Sequence, residues 1–345
     1  MRAVTLRSHG GPDVVVVEDV PRPRADGPDD VVVALKAAAL NHLDLFVVRG
    51  LPGASPSFPH VLGADGAGVV EAVGPAVTRV KPGDRVLLNP GVSCQRCEYC
   101  LAGEQSLCET YRLLGEHLPG TFAEAVRVPQ WSVYPAPPDV SWTDAAAFPL
   151  VHLTAWRMLA TRAAVRPGER VLIWGIGGGV ALAALGIARL LGATVLVTSS
   201  SDAKLARARE LGAEVTLNHA AADVPREVRR LTGGRGVDVV VDSVGEATWE
   251  RSLRMLAPGG RLVTCGATTG PRVETDVRRM FWYHHTLLGS TMGNAREFAA
   301  VLRLLGAGTL RPVVDSVVPL AEARGALERM ASGAHFGKLV LDIAA

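Results

Sequence analysis

The chain has 345 residues, 36 Lys and Arg against 34 Asp and Glu, a formal net charge of +2 and 48% hydrophobic residues. That mix excludes a disordered chain or a coiled coil, and its length corresponds to about two domains at roughly 150 residues each. The near balance of charge gives no polyanion footprint, so no nucleic-acid partner is expected. The longest apolar run, VALAALGIARLLGATVLVT, is interrupted by Arg189 and glycines, and MRAVTLRSHGG has no apolar signal core. No membrane span or leader is therefore expected, and a cytoplasmic location is.

Residues 1 to about 135 carry short Val-rich runs (DVVVVEDV, DVVVALKAA, HVLGADGAGVVEAVG) between Gly and Pro turns, the texture of a β-rich unit with little helix. From Ala145 the period changes: AAAFPLVHLTAWRMLATRAAV has helical spacing and stops at Arg166-Pro-Gly. Strands and helices then alternate. RVLIWG, TVLVTS, EVTLN, VDVVVDSVG, RLVTCG and TLLGS read as strands, with amphipathic helices between the first five. Short, nearly all-apolar strands separated by helices predict a doubly wound parallel sheet covered on both faces, an α/β class. The tail from Asn294 reads helix, strand, helix, strand (AREFAAVLRLLGAG, VVDSVVPL, AEARGALERM, KLVLDI) and is assigned mostly back to the first unit.

The first strand of the α/β half runs into Trp174-Gly-Ile-Gly-Gly-Gly-Val-Ala181 and then a helix. A turn without side chains lets backbone N–H groups approach a pyrophosphate, and the helix N-terminus adds partial positive charge there. Gly175, Gly178 and Gly179, with Val180 beside them, are assigned to that approach. An acidic residue at the end of the second strand would accept from a free ribose 2′-hydroxyl. Here Ser199 stands in its place, followed by Ser200, Ser201, Asp202 and Lys204. Hydroxyl donors and a cation suit a 2′-phosphate, so NADPH is expected over NADH; the plainer reading makes Ser201 or Asp202 a helix cap.

Cys94-x2-Cys97-x2-Cys100-x7-Cys108 brings four thiolates within fifteen residues. Such spacing wraps one tetrahedral ion, and zinc is favoured over an iron–sulfur cluster because four cysteines with no open position are its structural mode. One structural Zn2+ is expected, holding a lobe rather than catalysing. The fifth cysteine, Cys265, ends a strand, and packing or a cofactor wall suits it better than nucleophilic catalysis.

HVLGADGAGVVEAVG, VKPGDRV, the cysteine lobe, LTAWRML, the glycine turn, GGRGVDVVVDSVG and FGKLVLDI together resemble the medium-chain dehydrogenase/reductase superfamily over essentially the whole chain. The resemblance implies a GroES-like catalytic domain (1–150) with the zinc lobe at 94–108, an inserted Rossmann domain (151–293), and a return to the catalytic domain (294–345). It places the nicotinamide in the cleft. It also implies cofactor contacts from Thr154, from Ser243 and Val244, from Cys265, Gly266 and Ala267, from Leu288, Gly289 and Ser290, and from Lys338.

The zinc-dependent alcohol dehydrogenases of this superfamily hold a second, catalytic zinc, and the places of its ligands are taken here by Asn41, Ala64 and Leu150. None of these ligates zinc well, although His42, Asp44, Asp65 and His152 lie near them in sequence. The chain is in this respect similar to the quinone-oxidoreductase-like branch, with a zinc lobe that many members of that branch lack, and one zinc rather than two is expected. Without a Lewis acid, alcohol oxidation is hard, whereas hydride transfer to a conjugated enone or quinone needs only a held enolate oxygen. Asn41 is the first candidate to polarise the small-molecule carbonyl substrate, followed by Asp44, His42 and His117. Against these roles stands the plainer one, in which an Asn or Asp in such a turn bonds local backbone. The rival readings are a zinc alcohol dehydrogenase with atypical ligands and a non-catalytic NADPH-binding scaffold or sensor. A homodimer paired through TLLGSTM is expected.

Overall fold

The computed structural model describes residues 1–51, 53 and 56–344. The chain divides into two compact units, Met1–Val151 with Asn294–Ala345, and His152–Gly293.

The first unit is built on a seven-stranded sheet in which Val133–Pro135, Arg85–Leu88, Asp65–Val73, Asp30–Ala39, Lys338–Asp342 and Val314–Pro319 lie in that order, and Ala125–Pro129 also pairs with Asp30–Ala39. Strand Asp30–Ala39 is the hinge of the site that follows. Its Ala39 is opposite Asp65 on one side and Val340 on the other, both pairings antiparallel. Asn41 lies just past the end of one strand, while Asp65 and Lys338 open the other two, so the register alone brings these three polar residues to one edge of the sheet. Apolar alternation explains the rest: Val31, Val33, Leu35, Val70, Val86, Leu88, Val126 and Val128 fill one core, and Leu6, Leu40, Leu45, Val48, Phe122, Leu327, Leu339 and Leu341 another.

The expectation of little helix in this unit needs one correction. His42–Arg49 is a two-turn helix packed on helix Ala323–Ala331. It starts with a capping box in which Asn41 and Asp44 each satisfy the other's backbone N–H. Asn-x-x-Asp was the available signal, masked by the Val-rich flanks on either side.

In the second unit the expected strands are all present: β1 (Arg170–Ile173), β2 (Thr194–Ser199), β3 (Val215–Asn218), β4 (Val237–Val241), β5 (Leu256–Thr264) and β6 (Thr286–Gly289). They form one parallel sheet in the order β3-β2-β1-β4-β5-β6. The order reverses direction at β1, so the C-terminal ends of β1, β2 and β4 open the crevice where such sheets bind dinucleotides. The segment AAAFPLVHLTAWRMLATR is helical as expected, but in pieces: Trp142–Ala147, a break at Phe148, then Pro149–Trp156 and a π-helical stretch Arg157–Arg162. A short helix, Val277–Trp282, was not expected; Asp276 caps it by accepting from the N–H groups of Arg278 and Arg279.

Candidate functional site

The glycine turn meets the requirements for a pyrophosphate. Helix Gly179–Leu190 begins with Gly178 as its N-cap, and no side chain caps it, so its first N–H groups stay open to an anion. A Cβ on Gly178 would touch nothing within 4 Å, which shows open space above the helix end. Gly177, not singled out in the sequence, has φ +127, and a Cβ there would stand 3.1 Å from Lys204 Cδ and 3.4 Å from its Nζ. The Lys204 side chain therefore lies along the glycine turn. Ser199 is buried at the end of β2, where its hydroxyl accepts from Ser201 N at 3.1 Å. Ser201 caps helix Asp202–Glu210 by accepting from Lys204 N, and Asp202 accepts from Asn218 Nδ2 at 2.7 Å, so Ser201 is the cap that the plainer reading allowed. Ser200 is exposed beside them.

The other expected cofactor residues of this unit gather at the same strand ends. Ser243 and Val244 follow β4, and their carbonyls accept from Thr268 N and Thr269 N; Gly266 sits across from Ser243, where a Cβ would be 3.3 Å from its carbonyl oxygen. Ser290 N donates to Thr264 O, which ties the Leu288-Gly289-Ser290 turn to the end of β5. Thr154 Oγ1 lies 3.6 Å from Met292 Sδ. Asp242, to which the sequence alone assigned no role, organises this edge. One carboxylate oxygen accepts from Val244 N and Gly245 N, both accept from the Thr248 hydroxyl, and the other takes Ser252 Oγ. Burial and that same carboxylate push the Cys265 thiol up to about 12, which leaves it protonated and inert as a nucleophile.

In the first unit the four cysteines converge. Their Sγ atoms all lie within 4.8 Å of one another, and Cys94 Sγ is 4.0 Å from Cys100 Sγ. A tetrahedron with Zn–S bonds of about 2.3 Å has sulfurs about 3.8 Å apart, so the cluster fits the ion. The N–H groups of Arg96 and Cys97 hold the Cys94 thiol down to about 6, toward the thiolate that a metal needs. Among the described residues this is the one group of His, Cys, Asp or Glu atoms placed to hold a metal.

The three segments at the expected places of a catalytic metal's ligands meet around an ion pair instead. Lys338 Nζ is 2.6 Å from Asn41 Oδ1 and 3.0 Å from Asp65 Oδ2. Asn41 Nδ2 donates to Asp65 Oδ2 at 2.9 Å and, over a long 3.3 Å, to Ala39 O. Leu150 N donates to Asp65 Oδ1 at 2.9 Å. Both oxygens of Asp65 are thereby engaged. Asp44 Oδ2 accepts from Asn41 N at 2.7 Å, while its Oδ1 is buried without a partner; burial pushes this carboxyl up to about 7. Exposures are 6% for Asn41, 3% for Lys338, 1% for Asp44 and 0% for Asp65, so Asn41 is the member nearest to surface. Lys338, expected to touch the cofactor, thus has its ammonium engaged within the first unit. The His42 ring lies tilted at 45° to that of His335 with centroids 6.0 Å apart, and His117 Nδ1 accepts from Leu113 N; these contacts lie outside the network. Ala64 is fully buried and brings no donor.

Comparison with known proteins agrees with these features. Residues 27–138 match the family described as alcohol dehydrogenase GroES-like domain, and residues 179–307 match zinc-binding dehydrogenase. A zinc-type alcohol dehydrogenase-like protein of Schizosaccharomyces pombe is 33% identical, with 99% of each chain covered. The quinone oxidoreductase of Homo sapiens is 29% identical over 99% of this chain and 97% of its own. A crystal structure of an NAD-dependent alcohol dehydrogenase superposes with a TM-score of 0.95 at 48% identity, covering both chains completely. No helix among the described residues is long and apolar enough to cross a membrane. With a GroES-like unit, a Rossmann-type sheet with its glycine turn, a four-cysteine cluster and full-length relatives, the chain belongs to the medium-chain dehydrogenase/reductase superfamily and is an oxidoreductase of that kind.

Proposed function

We propose that the protein is an NADPH-dependent reductase of conjugated carbonyls, enones or quinones, with no metal at the substrate oxygen. One observation carries this reading: Asp65 has both oxygens engaged, by Leu150 N on one side and by Asn41 and Lys338 on the other. A catalytic cation at Asn41, Ala64 and Leu150 would find an amide already bonded, a methyl group and an aliphatic chain. The second unit holds the dinucleotide at Gly175, Gly177, Gly178 and the N-terminus of helix Gly179–Leu190, with Lys204 and the hydroxyls from Ser199 to Ser201 toward a 2′-phosphate. When bound, the reduced nicotinamide supplies the hydride.

Asn41 is the residue assigned to the substrate oxygen. Its second amide proton is held only by the long bond to Ala39 O, so it can be redirected at small cost. Charge developing on the oxygen as hydride reaches the β-carbon is then met by that N–H. Asp44 holds the Asn41 backbone through the capping box. Zinc in the four-cysteine lobe is structural, and the chain pairs as a homodimer through the open edge of β6 in the cytoplasm.

A second reading has a specific observation behind it. The solved structure at 48% identity is that of an NAD-dependent alcohol dehydrogenase, which favours NADH and alcohol oxidation. The two readings separate in one assay series. Consumption of NADPH and of NADH is followed with a quinone and enone panel, and cofactor reduction is followed with primary and secondary alcohols. The proposal expects turnover of enones or quinones with NADPH in preference to NADH; alcohol oxidation alone, or NADH preference, overturns it in that respect.

A further inference from the structure

We propose that Lys338 is a positioning residue that holds and polarises the Asn41 amide, rather than a group that binds the cofactor. This role rests on the carbonyl-reduction reading above and names a residue on which that reaction depends.

The argument begins with the amide itself. An Asn side chain can present either its oxygen or its nitrogen in a given direction, and the surrounding bonds decide which. An ammonium donates only, so Lys338 Nζ at 2.6 Å forces Oδ1 to its side. The nitrogen is thereby turned to the other, where one N–H is taken by Asp65 Oδ2 and the second keeps only the long contact to Ala39 O. Asp65 Oδ2 and Ala39 O accept only and keep the nitrogen on their side; without the lysine Oδ1 loses its ammonium donor, and the amide is held chiefly at its nitrogen end. Donation of a charged hydrogen bond to Oδ1 also withdraws density from the amide, which strengthens its N–H groups as donors.

Two further facts favour this role over a phosphate contact. Lys338 is 3% exposed, and its charge is balanced by Asp65, which is itself fully buried and pinned by Leu150 N. Reaching a cofactor would break both bonds and leave Asp65 as a bare buried carboxylate. In the reaction as proposed, hydride joins the β-carbon and the C=C π pair shifts to the bond between the α-carbon and the carbonyl carbon. The C=O π pair moves onto oxygen as an enolate, and the α-carbon then takes its proton from solvent. Lys338 gains and loses no proton.

The test compares the wild type with Lys338→Arg and Lys338→Met in the full chain. It measures the dissociation constant for NADPH by its bound fluorescence, and kcat and KM for an enone. Arginine keeps the charge, but its planar fork cannot meet Asn41 Oδ1 and Asp65 Oδ2 as a compact ammonium does. Expected is a fall in kcat of about 10-fold for Lys338→Arg and about 100-fold for Lys338→Met, with the NADPH dissociation constant unchanged within about 2-fold. Should Lys338→Met not fold, the arginine variant alone decides. An NADPH dissociation constant raised about 10-fold or more at unchanged kcat assigns Lys338 to the cofactor and overturns the role. Unchanged kinetics for Lys338→Arg also overturn it. A wild-type chain that reduces neither enones nor quinones overturns the reaction reading, and this role with it.

Discussion

Asp44 shows how one buried carboxyl links structure to pH. Its ordinary value of 3.8 is pushed up to about 7, with burial the largest cause and the nearby Lys338 charge and Asn41 N–H acting the other way. The neutral acid is therefore the form that the fold prefers. The stability it contributes is fully present below about pH 4 and is lost as pH rises through about 7. Asp44→Asn keeps an oxygen for Asn41 N and removes the titration. Relative to this variant, the wild type should lose about 1–3 kcal/mol between pH 5 and pH 8, seen as diverging unfolding midpoints. Parallel midpoints would show that Asp44 does not titrate there.

Lys204 carries the second prediction at this scale. Its side chain lies along Gly177 and starts from the first turn of the helix that Ser201 caps, beside Ser199 and Ser200, where the 2′-phosphate is expected. Lys204→Ala should raise the NADPH dissociation constant about 10-fold and change that for NADH by no more than about 2-fold, since one charge-assisted bond is lost in the first case only. Fluorescence titration with each cofactor reads both. Equal losses for the two would place Lys204 on a phosphate they share, and no loss would remove it from the site.

At the scale of elements, legibility followed period and punctuation. The six strands of the parallel sheet were readable because each is a short apolar run ended by Gly or a polar turn, and the helices between them repeat at 3.6 residues. Helix His42–Arg49 was hidden because its apolar residues, Leu43, Leu45, Phe46, Val47 and Val48, look as much like a strand as a helix; only the Asn41 and Asp44 box marks its start. The cysteine lobe was the reverse case, since spacing alone announces it. Around it are the short helix Glu98–Leu101, the 3-10 turn Gln105–Leu107 and the two-residue strand pair Gly91–Val92 with Arg112–Leu113, so little hydrophobic burial supports it: Leu101 and Leu107 are exposed. Cys97→Ser should therefore release the ion and lower the unfolding midpoint by roughly 5 °C or more, measured together by metal analysis and calorimetry. Full zinc retention in this variant would contradict the assignment.

For the molecule as a whole, what sequence could not supply was register. Asn41 and Lys338 are 297 positions apart, and they meet because Ala39 pairs with Asp65 in one strand and Val340 in another. No motif encodes such a contact; it follows from three strands ending at a common edge. The sequence named Asn41 and Asp44 as candidates, noted Asp65 beside the expected ligand places and placed Lys338 with the cofactor, yet the closed network that joins them became visible only in three dimensions. The homodimer expectation belongs here too. Sedimentation should give a particle of twice the 36.3 kDa chain, and a monomer at micromolar concentration would contradict pairing through β6.

Elemental analysis of a fully active preparation bears most directly on the central claim. The geometry predicts one zinc per chain, bound by the four cysteines, with enone or quinone reduction by NADPH undiminished at that stoichiometry. Two metal ions per chain, with activity rising and falling with the second, would contradict it and return the reaction to a metal-held oxygen.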